Sequence, residues 1–280
     1  MQLTIIIVNY NGAAFLKNCL DSVLSQKKFF TEFKIIIFDN ASTDESFTIL
    51  DDYKKDIELI KNATNIGFPQ AHNVLLPQLD TPFLWLLNND TEFKYDTDII
   101  TPILELFAND ESIVGVSPKL LNTDGSIQVQ GSGLNSLRFK TNKIKNVPFL
   151  SGASLFIRTA FFKEINGFDS NLFFYNDDID FAMQAKKNKK KLVYYPYVSV
   201  THHGGLSTKF HQIETRIGGY IGSLYLCKKY YSLPIFIIYK FAVKLLIQIQ
   251  YLFYKIKSDD KYKTWPNQLK TALERINNEL

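Results

Sequence analysis

Three stretches of this chain carry side chains suited to chemistry. In the first, the apolar run Phe83-Leu84-Trp85-Leu86-Leu87 breaks off at Asn88-Asn89-Asp90-Thr91. Asp90 offers a hard anionic oxygen and Asn88 a neutral carbonyl oxygen. Such ligands suit Mg2+ or Mn2+ beside a diphosphate, where the metal keeps waters and shares phosphate oxygens. A polar turn chosen for its geometry uses the same residue types. In the second stretch, Phe173-Phe174-Tyr175-Asn176-Asp177-Asp178-Ile179-Asp180, three aspartates fall within four positions ahead of a helical pattern. Capping and macrodipole compensation need only one or two acids. A third adds like-charge repulsion, which points to a further use. Asp177 or Asp178, at the helix start, is placed to act as a general base, while Asp180 stays with the helix. In the third, a strand pattern ends at His202-His203-Gly204-Gly205, which holds half of the four histidines. A lone histidine is more often structural; a pair in such a turn suits a metal or phosphate contact equally well.

The elements that must position these residues are legible from periodicity. Leu3 to Val8 is a β-branched run typical of a buried parallel strand, ending at Asn9-Tyr10-Asn11-Gly12. Phe15, Leu16, Cys19, Leu20, Val23 and Leu24 then share one helical face. Phe33 to Phe38 is a second strand, ending at Asp39-Asn40-Ala41-Ser42-Thr43-Asp44, with a helix start expected near Ser42 or Thr43. Ile57 to Ile60 is a short third strand, and Pro69 suits the first turn of the next helix. The run at Phe83 is the fourth strand. Alternation of this kind predicts an α/β sheet whose strands end along one edge, where a ligand binds. Asn9, Asp39, and Asn88 with Asp90 would all stand there.

Further on, residues 98–107 read as a helix and 113–117 as a strand. Leu121 to Val147 has weak periodicity and reads as a hairpin and a mobile loop. Pro148 to Arg158 reads as a strand whose small residues Ser151-Gly152-Ala153 let a ligand approach closely. Thr159 to Ile165 is a short helix closed by Asn166-Gly167.

Several function classes are disfavoured. No GxGxxG or GxxxxGK[ST] occurs, so neither a nicotinamide-binding Rossmann site nor a P-loop is expected, and a divalent cation is the economical way to neutralise a diphosphate. The net charge of +4 is mild, and the lysine run at residues 186–191 suits a solvated helix face, so no nucleic acid is expected as partner. Cys19 and Cys227 lie far apart with no metal spacing, which fits a reducing, cytoplasmic setting. No secretory signal pattern opens the sequence.

Residues 215–257 are helical in character. Lys240 and Lys244 interrupt the apolar stretch from Leu233 to Phe253, which argues against a membrane-spanning helix. Tyr, Phe and Lys together suit a helix lying at a membrane surface; a helical pair packed on the main domain, or a homodimer contact, fits as well. The tail from Lys261 to Leu280 is polar and reads as peripheral.

These pieces stand in an order that resembles the inverting glycosyltransferases of family 2, with the GT-A fold, and most of all the bacterial rhamnosyltransferase-type members. The matching motifs are Ile6-Ile7-Val8-Asn9-Tyr10-Asn11, Phe38 to Asp44, Asn65-Ile66-Gly67-Phe68 with Asn73, and Leu86 to Thr91. They continue with Ser151-Gly152-Ala153, Gly167-Phe168-Asp169, Phe174 to Asp180, and His202 to Gly205. The resemblance implies a GT-A domain over residues 1–210, a Rossmann-like mixed sheet flanked by helices, followed by a helical extension over 211–280. It implies that Val8, Asn9 and Tyr10 flank a nucleotide, that Asp39 accepts a hydrogen bond from a pyrimidine imide beside Asn40, and that Asn65, Gly67, Phe68 and Asn73 line the nucleotide and donor sugar. Asp90, next to Asn88 and Asn89, would be the acid that binds Mg2+ or Mn2+, with His202 or His203 contacting the metal or diphosphate. Asp178 matches the catalytic base, preceded by Asp177. Two departures stand out: Asn88 replaces the first acid of the family's Asp-x-Asp element, and Asp177 replaces the usual Glu.

The implied reaction moves a sugar from a dTDP- or UDP-linked donor to a hydroxyl of a glycan or lipid-linked acceptor, at the cytoplasmic face of a membrane, in cell-surface polysaccharide synthesis. Two other classes compete: a sugar nucleotidyltransferase, which would carry a glycine-rich loop where this chain has Asn9-Tyr10-Asn11-Gly12, and a non-catalytic nucleotide-sugar-binding scaffold.

Overall fold

The computed structural model describes residues 2–130, 133–173, 175–204, 212–257 and 262–279. Phe174, Gly205, the expected boundary at 210/211, and Lys261 and Leu280 of the expected tail lie outside the described residues. The chain divides into two compact units. One comprises residues 1–173 and 177–204, the other 174–176 and 205–280.

In the first unit the chain runs β1 (Leu3–Asn9), α1 (Ala13–Ser25), β2 (Phe33–Asp39), α2 (Ser46–Asp52), β3 (Glu58–Lys61), α3 (Phe68–Asn73), β4 (Phe83–Asn88) and β5 (Thr91–Glu92). It continues with α4 (Ile100–Asn109), β6 (Ile113–Leu121), β7 (Lys145–Val147), β8 (Ser154–Arg158), α5 (Thr159–Glu164), α6 (Asp177–Lys187) and β9 (Lys191–His202). The strands form one mixed sheet in the order β3-β2-β1-β4-β8-β6-β9-β5, with β7 on β9. β1 to β4 are mutually parallel, whereas β8 runs antiparallel to both β4 and β6.

Alternation along β1 explains why every one of its residues is buried. Ile5 and Ile7 face the layer that holds Leu16, Cys19, Leu20 and Val23 of α1. Ile6 and Val8 face the opposite layer with Ala71 and Leu75. A strand covered on both faces must be apolar throughout, so its polar residues collect at its end. The register then aligns those ends: Asn9 pairs with Asp39, and Val8 with Asn88.

Local expectations shift in four places. The helix after β2 starts at Ser46, not near Ser42 or Thr43, because the Ser42 hydroxyl is drawn to Asn9 and Asn11 while Asp44 accepts from the Ser46 amide and hydroxyl. β8 begins only at Ser154; the Ala153 carbonyl before it accepts the Asn88 amide of β4. Between 121 and 147 the expected hairpin is present, closed by a Leu121–Ile127 bridge, but the stretch after it is not all loop, since β7 pairs with β9. The fourth concerns the tail, in the second unit.

That unit contains α7 (Gln212–Tyr230), α8 (Leu233–Ile256) and α9 (Trp265–Glu279). The expected polar tail is α9, whose Trp265, Leu269, Ala272 and Ile276 recur at helical spacing and are buried. Such a narrow stripe is easily lost in a polar composition. They pack with Leu224 and Cys227 of α7 and with Phe236, Val243 and Ile247 of α8. By length and composition α8 is long and apolar enough to cross a membrane, despite Lys240 and Lys244.

Candidate active site

Where β1 and β2 end, polar side chains knit two turns together. Asn9 donates from Nδ2 to Asp39 Oδ2 at 2.9 Å and to Ser42 Oγ at 3.0 Å. Its Oδ1 accepts from Asn89 Nδ2 at 2.7 Å, which ties the β4 turn to the same knot. Asp39 Oδ1 accepts the Ser42 amide at 2.9 Å. A Cβ at Gly12 would press on the Asn89 and Asn9 amides and force their contact apart, so glycine leaves this knot room to close. Val8, Asn9, Asp39 and Asn40 are all buried, whereas Tyr10 is 48% exposed. Asp39 thus holds Asn9 and the Ser42 turn with both oxygens, and in this structure its carboxylate is covered.

The second wall runs from β2 to α3. Asn40 donates to Asn65 Oδ1 at 2.9 Å and accepts the Ile66 amide at 2.9 Å. Gly67 has φ +83°, and a Cβ there would lie 2.4 Å from the Phe173 carbonyl oxygen, so this position admits no side chain. The Phe68 ring packs 4.4 Å from His72, between their centroids. Asn73 makes a structural tie: its Nδ2 donates to the Phe168 carbonyl at 2.7 Å and its Oδ1 accepts the Phe168 amide at 2.9 Å, which binds α3 to the Gly167-Phe168 turn.

At the end of β4, Asp90 meets β9. His202 Nε2 stands 3.2 Å from Asp90 Oδ1 and 3.3 Å from Asn88 Nδ2, while its Nδ1 lies 2.8 Å from Gln128 Oε1. The Asp90 oxygen is buried yet makes no hydrogen bond. An orphaned buried carboxylate oxygen beside an imidazole nitrogen fits a cation. Octahedral Mg2+ with bonds of about 2.0–2.1 Å sets neighbouring ligands about 3 Å apart. Among the described residues no group of three or more His, Cys, Asp or Glu forms a complete cage. Two ligands suit a metal that draws its remaining ligands from diphosphate and water; the carbonyl oxygen expected of Asn88 is not the atom presented, since its Nδ2 faces His202. His203 is turned elsewhere: its ring lies 4.7 Å from Phe15 and its Nε2 3.1 Å from Glu92 Oε1, so only His202 joins Asp90.

Asp178, at the start of α6, contacts the chain just ahead of β8. Its Oδ1 accepts the Ile179 amide at 2.9 Å, and Gly152 donates to its Oδ2 at 3.5 Å. The next residue, Ala153, accepts the Asn88 amide at 3.0 Å. One strand entry therefore touches the candidate base and the β4 end that bears Asp90. Tyr175 and Asn176 hold φ of 72° and 68°, the left-handed region that Asn tolerates and Tyr seldom adopts. Burial pushes the Asp177 carboxyl well above the usual carboxylate range, and repulsion from Asp178 and Asp180 adds to the shift. Burial also raises Asp178, against the opposing pull of the Gly152 and Ile179 amides. Asp177 is 6% exposed while Asp178 keeps more surface, so Asp178 is the better placed of the two to meet a substrate.

Sequence reasoning missed Gln128, Gln130 and Ser42. Gln130 is buried and accepts the Ser151 amide at 2.8 Å, fixing the strand entry. No periodic signal marks these glutamines, which sit in the aperiodic stretch after β6.

Comparison with known proteins accords with this geometry. Residues 4–165 match the family described as Glycosyl transferase family 2. The chain is 33% identical over 117 residues to the teichoic acid poly(glycerol phosphate) polymerase of Staphylococcus epidermidis, an alignment covering 40% of this chain but only 16% of that polymerase. It is 22% identical over 240 residues to the N-acetylglucosaminyl-diphospho-decaprenol L-rhamnosyltransferase of Mycobacterium tuberculosis, covering 74% of this chain and 77% of that protein. The mannosyltransferase PcManGT from Pyrobaculum calidifontis, solved with GDP-Man and Mn2+, superposes with a TM-score of 0.65 at 13% identity, covering 99% of this chain and 87% of that one. That likeness establishes the expected fold, the GT-A mixed sheet flanked by helices. With its matched residues building the sheet and the edge at Asn9, Asp39 and Asp90, the chain belongs to glycosyl transferase family 2.

Proposed function

We propose that this protein transfers a glycosyl group from a nucleoside diphosphate sugar to an acceptor hydroxyl, with inversion at the anomeric carbon. The observation that carries the reading is the shared strand entry: Gly152 holds Asp178, and Ala153 holds the β4 end that leads to Asp90. Asp178 accepts the proton of the acceptor hydroxyl as that oxygen forms its bond to the anomeric carbon. The bond from that carbon to the diphosphate oxygen breaks on the opposite face, and the nucleoside diphosphate leaves with the electron pair. A single displacement inverts the centre. Asp90 and His202 would hold Mg2+ or Mn2+, which when bound supplies Lewis-acid neutralisation of the departing charge. Tyr10 lies exposed beside the edge, where a base can pack on its ring.

The acceptor we infer is a glycan or lipid-linked glycan at the cytoplasmic face of a membrane, in cell-surface polysaccharide synthesis. The rhamnosyltransferase relative acts, by its name, on a diphospho-decaprenol lipid. In this chain α8 exposes Ile238, Phe241, Leu245, Ile249, Leu252 and Ile256 at helical spacing on one face. Residues 215–257 carry Arg216 and several lysines but no acid, a balance suited to an anionic lipid surface.

The deciding experiment incubates the full chain and Mn2+ with UDP-, dTDP- and GDP-sugars and lipid-linked or soluble acceptors, and reads the anomeric configuration of the product by NMR. An inverted glycoside is expected. Retention, or nucleotidyl transfer to a sugar phosphate, overturns the reading.

A further inference from the structure

The hairpin after β6 carries a directed chain of hydrogen bonds that ends on His202. Its backbone is set by the Asn122 amide on the Ser126 carbonyl, the Gly125 amide on the Asn122 carbonyl, and the Gln128 amide on the Leu120 carbonyl. The side chains then run in one direction. Asp124 Oδ1 accepts from Ser126 Oγ at 2.6 Å, and the Ser126 hydroxyl helps hold that carboxyl below its ordinary range. An ionised carboxylate only accepts, so the serine proton points toward it. Ser126 Oγ is left to accept from Asn122 Nδ2, at 2.9 Å. That choice turns Asn122 Oδ1 toward Gln128 Nε2, at 3.2 Å. It leaves Gln128 Oε1 facing His202 Nδ1, at 2.8 Å. A carboxamide oxygen only accepts, so the imidazole proton sits on Nδ1.

We propose that Gln128 is a positioning residue that locks His202 in its Nδ1–H tautomer, so that Nε2 turns a lone pair toward the cation site beside Asp90. This rests on the reading that a divalent cation belongs there. The lock matters because the other tautomer is available to the same ring. A proton on Nε2 would let His202 donate to Asp90 Oδ1, 3.2 Å away, once the ring adjusts, and both ligands would be consumed by each other. With the proton held on Nδ1, Nε2 keeps its lone pair on the side of Asp90 Oδ1 and can exchange its Asn88 contact for a cation. Asn88 Nδ2, 3.3 Å from Nε2, fits the Nδ1–H tautomer, since an amide N–H there meets an acceptor; a bound cation would take that lone pair in place of the Asn88 amide.

The tautomer is read directly by 15N NMR of His202 in the full-length, metal-free protein at a pH where the ring is neutral. Wild type is expected to carry the proton on Nδ1. Gln128→Leu is expected to move it to Nε2, and Gln128→Glu, still an acceptor, to keep it on Nδ1. Mn2+ alone, titrated by EPR, is expected to bind Gln128→Leu about 10–100-fold more weakly than wild type, with Gln128→Glu restoring most of the affinity. A wild-type ring protonated on Nε2 overturns the proposal, as does a Gln128→Leu protein that matches wild type in both tautomer and Mn2+ affinity. These readouts need no transfer reaction, so they fail separately from the proposed activity. Ser126→Ala, which breaks the chain two links away, is expected to shift the tautomer in the same sense.

Discussion

Gly152 donates its backbone N–H to Asp178 Oδ2 at 3.5 Å, so one carboxylate oxygen is held only loosely while the other accepts the Ile179 amide at 2.9 Å. A base needs that balance. Strong hydrogen bonds to the ionised form would lower its proton affinity, whereas burial raises it.

Replacing Asp178 with Asn keeps the shape and removes the proton acceptor. Transfer is expected to fall by about 10^2–10^4-fold, the range typical of a positioned base. Donor binding, followed by isothermal titration with a nucleoside diphosphate, is expected to stay near wild type. An active Asp178→Asn enzyme would transfer the role to Asp177.

The raised carboxyls make stability depend on pH with a definite sign. Folded Asp177 and Asp178 hold their protons to higher pH than the unfolded chain, where an Asp titrates near about 3.9. Between that value and the raised folded pKa the native state binds more protons, so stability is greatest below the window and declines as pH rises through it. Urea melts from pH 4 to 9 are expected to show the decline, and Asp177→Asn to flatten it. The same shift places the acid limb of kcat/KM above the range of an ordinary carboxylate.

Asp90→Asn removes the anionic ligand at the β4 end. Mn2+ affinity is expected to drop by at least about tenfold, since even outer-shell partners of a metal ligand are worth that much. Asn88→Asp adds the acid that this chain lacks and is expected to tighten Mn2+ in the same EPR titration. EDTA is expected to reduce transfer, with Mg2+ or Mn2+ restoring it.

Charge placed on the exposed arc of α8 tests the membrane contact. Ile238→Glu with Ile249→Glu, at sites 70% and 56% exposed, is expected to release the protein from anionic vesicles in a flotation assay. Unchanged flotation would reject the contact, and a loss of dimer by light scattering in its place would assign the face to a second copy of the chain.

Much of the site could be read from residues because its parts sit at strand ends. A buried parallel strand must be apolar along its length, so Asn9, Asp39 and Asn88 announce where each strand stops, and the common direction of the strands aligns those stops. The aspartate run and the histidine pair were conspicuous as residue types. The specific duties were not. Asn73 carries the same amide as any ligand asparagine. Only the placement of Phe168, 95 residues away, commits it to a structural tie. His202 and His203 are neighbours in sequence, yet successive strand-end residues point to opposite sides, so one meets Asp90 and the other Glu92.

What the sequence determined by itself was the alternation of the first four strands with helices, the polar edge, and the candidate acids, since these follow from local periodicity and residue chemistry. What only the tertiary structure decided was partnership: Gly152 against Asp178, Gln128 against His202, and the burial of Asp39. Those contacts join segments far apart along the chain. Hydrogen-bond direction and desolvation depend on what surrounds a group in space, and no local pattern encodes that.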